Sequence, residues 1–251
     1  MTSTVYIVSA VSVLFFSGLM AMAGMGAAFI FVPLFYYLGV PLAEAVPTAL
    51  LLNVVSLVFA AVNYYRGGLI NWRMGLPIMV AAVLLAPVGA HATPFVDKRL
   101  FFSLFACFLI FAGFMMIFYK AKPRTETLGR AGEAGAGAAV GVAAGFLGGL
   151  LGVGGGNFIV PALNALGIDA KIAAGTTAMV VTFASFSGFL GHVSLGGLSP
   201  TFLGLMALVS ALGSVAGSHL MKSKVTGEQL KKIIGVLLWL VAVKIIFDVV
   251  K

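Results

Sequence analysis

The sequence predicts an all-α polytopic membrane protein made of two inverted-topology repeats. Three observations lead there: composition, a glycine motif that occurs twice at one spacing, and the placement of the loop cations. Of 251 residues, 61% are apolar and 9% charged, and the mean hydropathy is +1.15. A soluble domain of this size needs far more polar surface than that composition supplies. The motif reads Gly24-Met25-Gly26-Ala27-Ala28-Phe29-Ile30-Phe31-Val32-Pro33 in the first half. Its second copy starts 128 residues later (152 − 24) and reads Gly152-Val153-Gly154-Gly155-Gly156-Asn157-Phe158-Ile159-Val160-Pro161. At the same offset Leu38-Gly39 matches Leu166-Gly167, Ala45 matches Ala173, and Thr48 matches Thr176.

The apolar stretches can be taken in order. Residues 5–23 follow no Lys or Arg, so they lack the basic start of a cleavable signal and are read as a retained helix. Residues 27–38 are too short to cross the bilayer alone and form the second arm of a hairpin that turns at Gly24–Gly26. Three long helices follow over 42–65, 74–93 and 100–119, each close to the ~20 residues a crossing requires. The second half repeats this order, with a hairpin over 137–151 and 156–167 and long helices over 171–193, 201–221 and 230–249. Between them, residues 120–133 are rich in glycine and charge and form a linker. The chain is thus expected to divide into a first transmembrane repeat over 1–119 and a second over 134–251.

Loop charge discriminates between two topologies. If 5–38 were one long broken helix, the loop lysines and arginines would divide seven against seven. With hairpins at the glycine turns, one face receives Arg66, Arg73, Lys120, Lys122, Arg124, Arg130, Lys171, Lys222, Lys224, Lys231 and Lys232. The other receives only Lys98, Arg99 and Lys251, with Lys244 inside a helix. Eleven against three is the bias that orients membrane proteins, so the hairpin arrangement is preferred. Each half then makes an odd number of topological steps, which inverts one repeat relative to the other. The linker is expected to be cytoplasmic and both termini outside, in a multi-pass protein of the cell (inner) membrane. The net charge of +8 sits in these short loops, which argues against nucleic-acid binding.

The glycine turns carry the candidate chemistry. Clustered glycine admits backbone conformations closed to other residues and lets the chain approach a ligand closely. A short helix that begins at such a turn presents unpaired N–H groups and a positive dipole end, a setting suited to an anion. Two such termini reaching the midplane from opposite faces would hold an oxyanion without a buried arginine. Close helix packing is the competing role for the same glycines. Thr48 and Thr176 follow at equivalent positions near the start of the next long helix, and the second copy is richer, reading Ala174-Gly175-Thr176-Thr177. Their hydroxyls can donate to an anion or bond back to their own helix.

The run from Gly148 to Leu163, together with Ala173-Ala174-Gly175-Thr176-Thr177, resembles the sulfite exporter TauE/SafE family of permeases, within the toluene sulfonate uptake permease superfamily. The resemblance extends through both repeats and the later Gly213–Gly217 segment. The first-half copy departs from the pattern at Met25, Ala27 and Ala28, which leaves open whether both hairpins contact substrate equally. The resemblance implies export or uptake of small sulfur-containing or organic anions such as sulfite and sulfonates. Carried onto this chain, the substrate-binding candidates are Gly24, Gly26, Thr48, Gly152, Gly154, Gly155, Gly156, Asn157, Gly175, Thr176 and Thr177.

Few ionisable groups lie near the membrane. Glu44 and His192 are candidates for coupling to H+ or Na+, although an acid in a first helical turn, such as Glu44, or just before one, such as Asp169, is also an ordinary dipole partner. No carboxylate lies deep in a span. Cys107 is the only cysteine, which excludes an internal disulfide and a cysteine metal cluster. There is no His-Glu-x-x-His motif and no pair of buried carboxylates, so no enzymatic activity, metal or cofactor is expected. The leading expectation is a secondary transporter of small anions in the lipid bilayer, working by alternating access. A passive anion channel and a non-transporting membrane subunit are the alternatives, and a homo-oligomer is left open.

Overall fold

The computed structural model describes residues 3–23, 26–118, 129–193, 199–220 and 227–250. Every regular element among them is helical. In order these are α1 (Ser3–Ala23), α2 (Ala28–Tyr37), α3 (Leu42–Arg66), α4 (Trp72–Ala92) with a 3-10 turn at Thr93–Phe95, and α5 (Lys98–Phe118). The second half gives α6 (Arg130–Leu151), α7 (Gly156–Ala165), α8 (Ala170–Val193), α9 (Pro200–Leu220) and α10 (Gly227–Val250). Five described segments are long and apolar enough to cross a membrane: Leu42–Arg66, Trp72–Phe95, Lys98–Met115, Ala131–Leu151 and Lys171–Val193.

Local chemistry explains several helix ends. The Asn71 side chain accepts from Met74 N (3.2 Å), Asp97 from Leu100 N (2.9 Å) and Asp169 from Lys171 N (2.9 Å), so each caps the helix that follows. Asp169 therefore has a structural use. The duplicated Leu-Gly pair is a helix stop. Val40 N reaches the Phe35 carbonyl and Ile168 N the Leu163 carbonyl, while Gly39 and Gly167 are left-handed, which is the Schellman geometry in both halves.

The largest departure from the expected boundaries is at the start of α6. α6 starts at Arg130, so residues 130–133 of the expected linker are helical and the apolar run begins seven residues into the helix. Alanines favour the early start, and Arg73 lies 3.6 Å from Glu133 across the α4–α6 seam. The part of the linker over 120–128 lies outside the described residues.

The seam itself is a glycine stripe. Gly137, Gly141, Gly145 and Gly149 recur every four residues, and a Cβ on any of them would press on α4 at Met74, Ile78, Ala82 or Ala86. The helices touch backbone to backbone, which offsets the intrinsic cost of glycine in a helix. The corresponding seam between the halves, α1 on α9, uses hydroxyls instead. Ser210 Oγ lies 2.9 Å from Ser17 Oγ and 3.0 Å from Ser56 Oγ, tying α1, α9 and α3 together.

The partnerships come in matched pairs. α4 packs on α6 and α1 on α9; α4 packs on α8 and α3 on α9; α2 packs on α3 and α7 on α8. α3 with α8, and α5 with α10, pair with their own counterparts. α3 and α8 form the centre, and the hairpins α1–α2 and α6–α7 lean on them. Phe29, Phe31, Phe35, Phe101, Phe105 and Phe202 are fully buried around this centre. On the outside, Trp72, Leu76, Val80, Leu84 and Val88 form an exposed apolar stripe along one face of α4. A stripe of that kind is stable against lipid, not water. Cys107 is exposed on α5, away from the interior.

Candidate functional site

The second glycine turn reverses the chain within four residues. α6 ends at Leu151 and is closed by Gly152, whose φ of 72° is left-handed, and Gly154 and Gly155 follow at 71° and 76°. Three left-handed residues in a stretch of four cost little only in glycine. α7 then starts at Gly156. Phe158 N and Ile159 N bond the Gly155 carbonyl (3.0 and 3.3 Å), which leaves the N–H groups of Gly156 and Asn157 without an acceptor in their own helix. The first-half turn repeats this pattern. Gly26 has φ 73°, and Ile30 N and Phe31 N bond the Ala27 carbonyl (2.9 and 3.2 Å).

Both turns converge on one amide. Asn53 is near the midpoint of α3 and is completely buried. A Cβ on Gly26 would overlap its side-chain oxygen, and a Cβ on Gly154 would overlap its nitrogen and the Ser185 hydroxyl. Asn53 Nδ2 donates to Ser185 Oγ at 3.0 Å, which joins α3 to α8 at this level. Gly26 and Gly154 thus press on the two ends of the same side chain, although they are 128 residues apart (154 − 26).

Polar atoms without partners gather on these elements. The side-chain oxygens of Thr48, Asn53, Asn157 and Thr177 are buried and make no hydrogen bond among the described residues. Burying such a group unpaired costs about 1–3 kcal/mol each. Thr177 lies one and two turns before Val181 and Ser185, the two α8 residues that crowd Gly154, and so shares their face. Every one of these residues is uncharged. Hydroxyls, amides that can present N–H by rotation, and two helix N-termini are neutral groups able to donate hydrogen bonds.

The other expected site residues lie elsewhere or serve the fold. Gly24 is outside the described residues. Gly152 packs against Val32 and Val46 of the first half, and Gly155 against the Ala144 backbone, where a Cβ would come within 2.5 Å of the carbonyl oxygen. Gly175 abuts the Leu69 carbonyl, and Thr176 Oγ1 accepts from Asn71 N (2.9 Å), so this pair secures the α3–α4 connection. Glu44 accepts from Ser199 N (3.1 Å) just before α9. His192 is buried and its Nε2 donates to the Gly149 carbonyl (2.9 Å) in the last turn of α6, beside a cavity of about 280 Å³ that Thr93 and Phe101 also line. Asn53 and Ser185 escape the sequence reading, although a lone mid-span amide in an apolar helix is a recognisable signal.

Comparisons with known proteins point to a family of membrane transporters. The family model described as "Sulfite exporter TauE/SafE" matches residues 9–245. The "Probable membrane transporter protein YunE" of Bacillus subtilis is 24% identical over 224 residues, covering 81% of each chain. A "Probable membrane transporter protein" of Haemophilus influenzae is 27% identical over 214 residues, covering 78% of each. No solved structure matches the chain. With the match running through both glycine turns and nearly every helix, the chain belongs to the sulfite exporter TauE/SafE family of membrane transporters.

Proposed function

We propose that this chain is a secondary transporter of small sulfur-containing or organic anions such as sulfite or sulfonates. The anion sits between the two glycine turns, held by N–H groups at the starts of α2 and α7 and by the side chains of Asn53, Asn157 and Thr177. The observation that carries this reading is the convergence of Gly26 and Gly154 on one buried amide at mid-span. Alternating access follows if the two halves are inverted repeats that rock about the α3–α8 contact. The exchange of partners between halves supports that arrangement, because an internal two-fold axis pairs each contact with its counterpart.

Transport against a gradient is the test. Purified protein in proteoliposomes is expected to accumulate sulfite or a sulfonate above its external concentration when a proton or sodium gradient is imposed. Flux that only ever equilibrates the anion would make the protein a channel, and absence of flux would make it a subunit of something larger.

Orientation is proposed from charge: the 120–133 linker cytoplasmic and both termini outside. Single cysteines placed in the linker and at Ser3, in a Cys107→Ala background, report it in intact cells. An impermeant thiol reagent is expected to label Ser3→Cys and spare the linker. The reverse pattern would overturn the topology.

A further inference from the structure

Three helix ends meet around a cavity that the proposed transport site does not use. It has a volume of about 360 Å³ and is lined by Tyr36 and Tyr37 at the end of α2, Lys98, Arg99 and Phe102 at the start of α5, and Asp248 near the end of α10. We infer that this cavity binds an oxyanion headgroup, and that the phosphate of an anionic phospholipid is the source its surroundings favour.

The electrostatics are unbalanced toward positive charge. Lys98 and Arg99 occupy the first turn of α5, where the positive end of the helix dipole disfavours a cation. Neither forms an ion pair among the described residues, whereas the nearby acids are already engaged. Both Asp248 oxygens lie 2.7 Å from Lys244 Nζ, and Tyr37 hydrogen-bonds to the same carboxylate. Asp97, though exposed, is engaged in capping α5 through Leu100 N. Lys98 Nζ stands 4.7 Å above the Tyr36 ring, a placement that fixes the ammonium without neutralising it and leaves its N–H donors available. Two cations without ion partners among the described residues, one of them held over a ring, line one cavity and suit a singly or doubly charged oxyanion.

Position favours lipid over a free ion. The cavity lies where apolar helices end, the place a headgroup would occupy, with aromatic rings in its wall and exposed Leu100, Ile246 and Phe247 beside it for acyl chains. The cation-poor face of the sequence carries only Lys98, Arg99 and Lys251 in its loops, with Lys244 in a helix. Two of those four line this one cavity and a third is tied to its wall.

The test is thermal unfolding of the purified protein in neutral detergent with added phosphatidylglycerol, phosphatidylcholine, or sodium sulfate at matched ionic strength. Phosphatidylglycerol is expected to raise the transition temperature more than phosphatidylcholine. A Lys98→Gln/Arg99→Gln variant should weaken the apparent affinity for it by about tenfold or more. Both residues are exposed, and the ligand-induced shift is read against each variant's own baseline. Should the pair fail to fold, Lys98→Gln alone serves. A sulfate shift that the double variant loses, without preference between the lipids, would keep the oxyanion site and assign it a soluble source. No shift, or one that the double variant keeps in full, would overturn the inference. Asn53→Ala separates the two sites: it should leave this shift unchanged, whatever becomes of transport.

Discussion

Gly154→Ala is expected to lower anion transport at least about a hundredfold while the protein remains inserted in the membrane. The added methyl group would occupy the space held by the Asn53 amide nitrogen and the Ser185 hydroxyl, and Val181 closes the third side at 3.1 Å. Asn53 and Ser185 would have to swing away, and the anion would lose the donors of both. Two charge-assisted hydrogen bonds at about 1.5 kcal/mol each correspond to that hundredfold loss. Backbone strain is a second cost, of about 1–2 kcal/mol for a left-handed alanine. Gly68→Ala isolates it, because Gly68 has φ 65° and a Cβ there would meet nothing within 4 Å. That control should transport normally. If Gly154→Ala keeps full activity at normal membrane abundance, the turn is a packing device and the anion site lies elsewhere. Gly155 is a poorer test, since its Cβ would strike the Ala144 backbone and disturb the turn itself.

Asn53→Ala should raise KM for the transported anion by about tenfold to a hundredfold, the loss of one hydrogen bond to a charged ligand at about 1.5–3 kcal/mol. The amide also joins α3 to α8, so some stability is lost as well, about 1 kcal/mol for a neutral bond. Ser185→Ala breaks the same interhelical bond but leaves the amide, and its KM should move less. Ser17→Ala tests the stability term by itself, because it removes a buried interhelical hydroxyl contact in the α1–α9 seam. Uptake kinetics in proteoliposomes, with membrane abundance measured alongside, separate these cases. An unchanged KM in Asn53→Ala would remove that residue from the site.

Adjacent residues show where reading the sequence stops. Repeat equivalence singles out Thr176 through its match to Thr48, and the fold places its hydroxyl against Asn71 N. Thr177, one residue on, points along the face of Val181 and Ser185 and keeps an unpaired oxygen. Consecutive helix residues are separated by about 100°, so a motif two residues wide spans two environments. The stripe Gly137, Gly141, Gly145, Gly149 was likewise available as a small-residue repeat, but its partner helix was not.

By itself the sequence determined the class, the helix order and the places where the chain reverses. Those properties are largely local: apolar length sets a helix in lipid, and left-handed glycines end it at Gly39, Gly152 and Gly167. Only the tertiary structure decided that Gly26 and Gly154 share Asn53, that α4 seats on the glycine face of α6, and that Lys98 and Arg99 gather beside α10. Those contacts join residues far apart in the chain, and each depends on how whole helices are rotated and set against one another. No short stretch of sequence carries that information, because every face of a membrane helix is apolar and hydropathy no longer tells inside from outside.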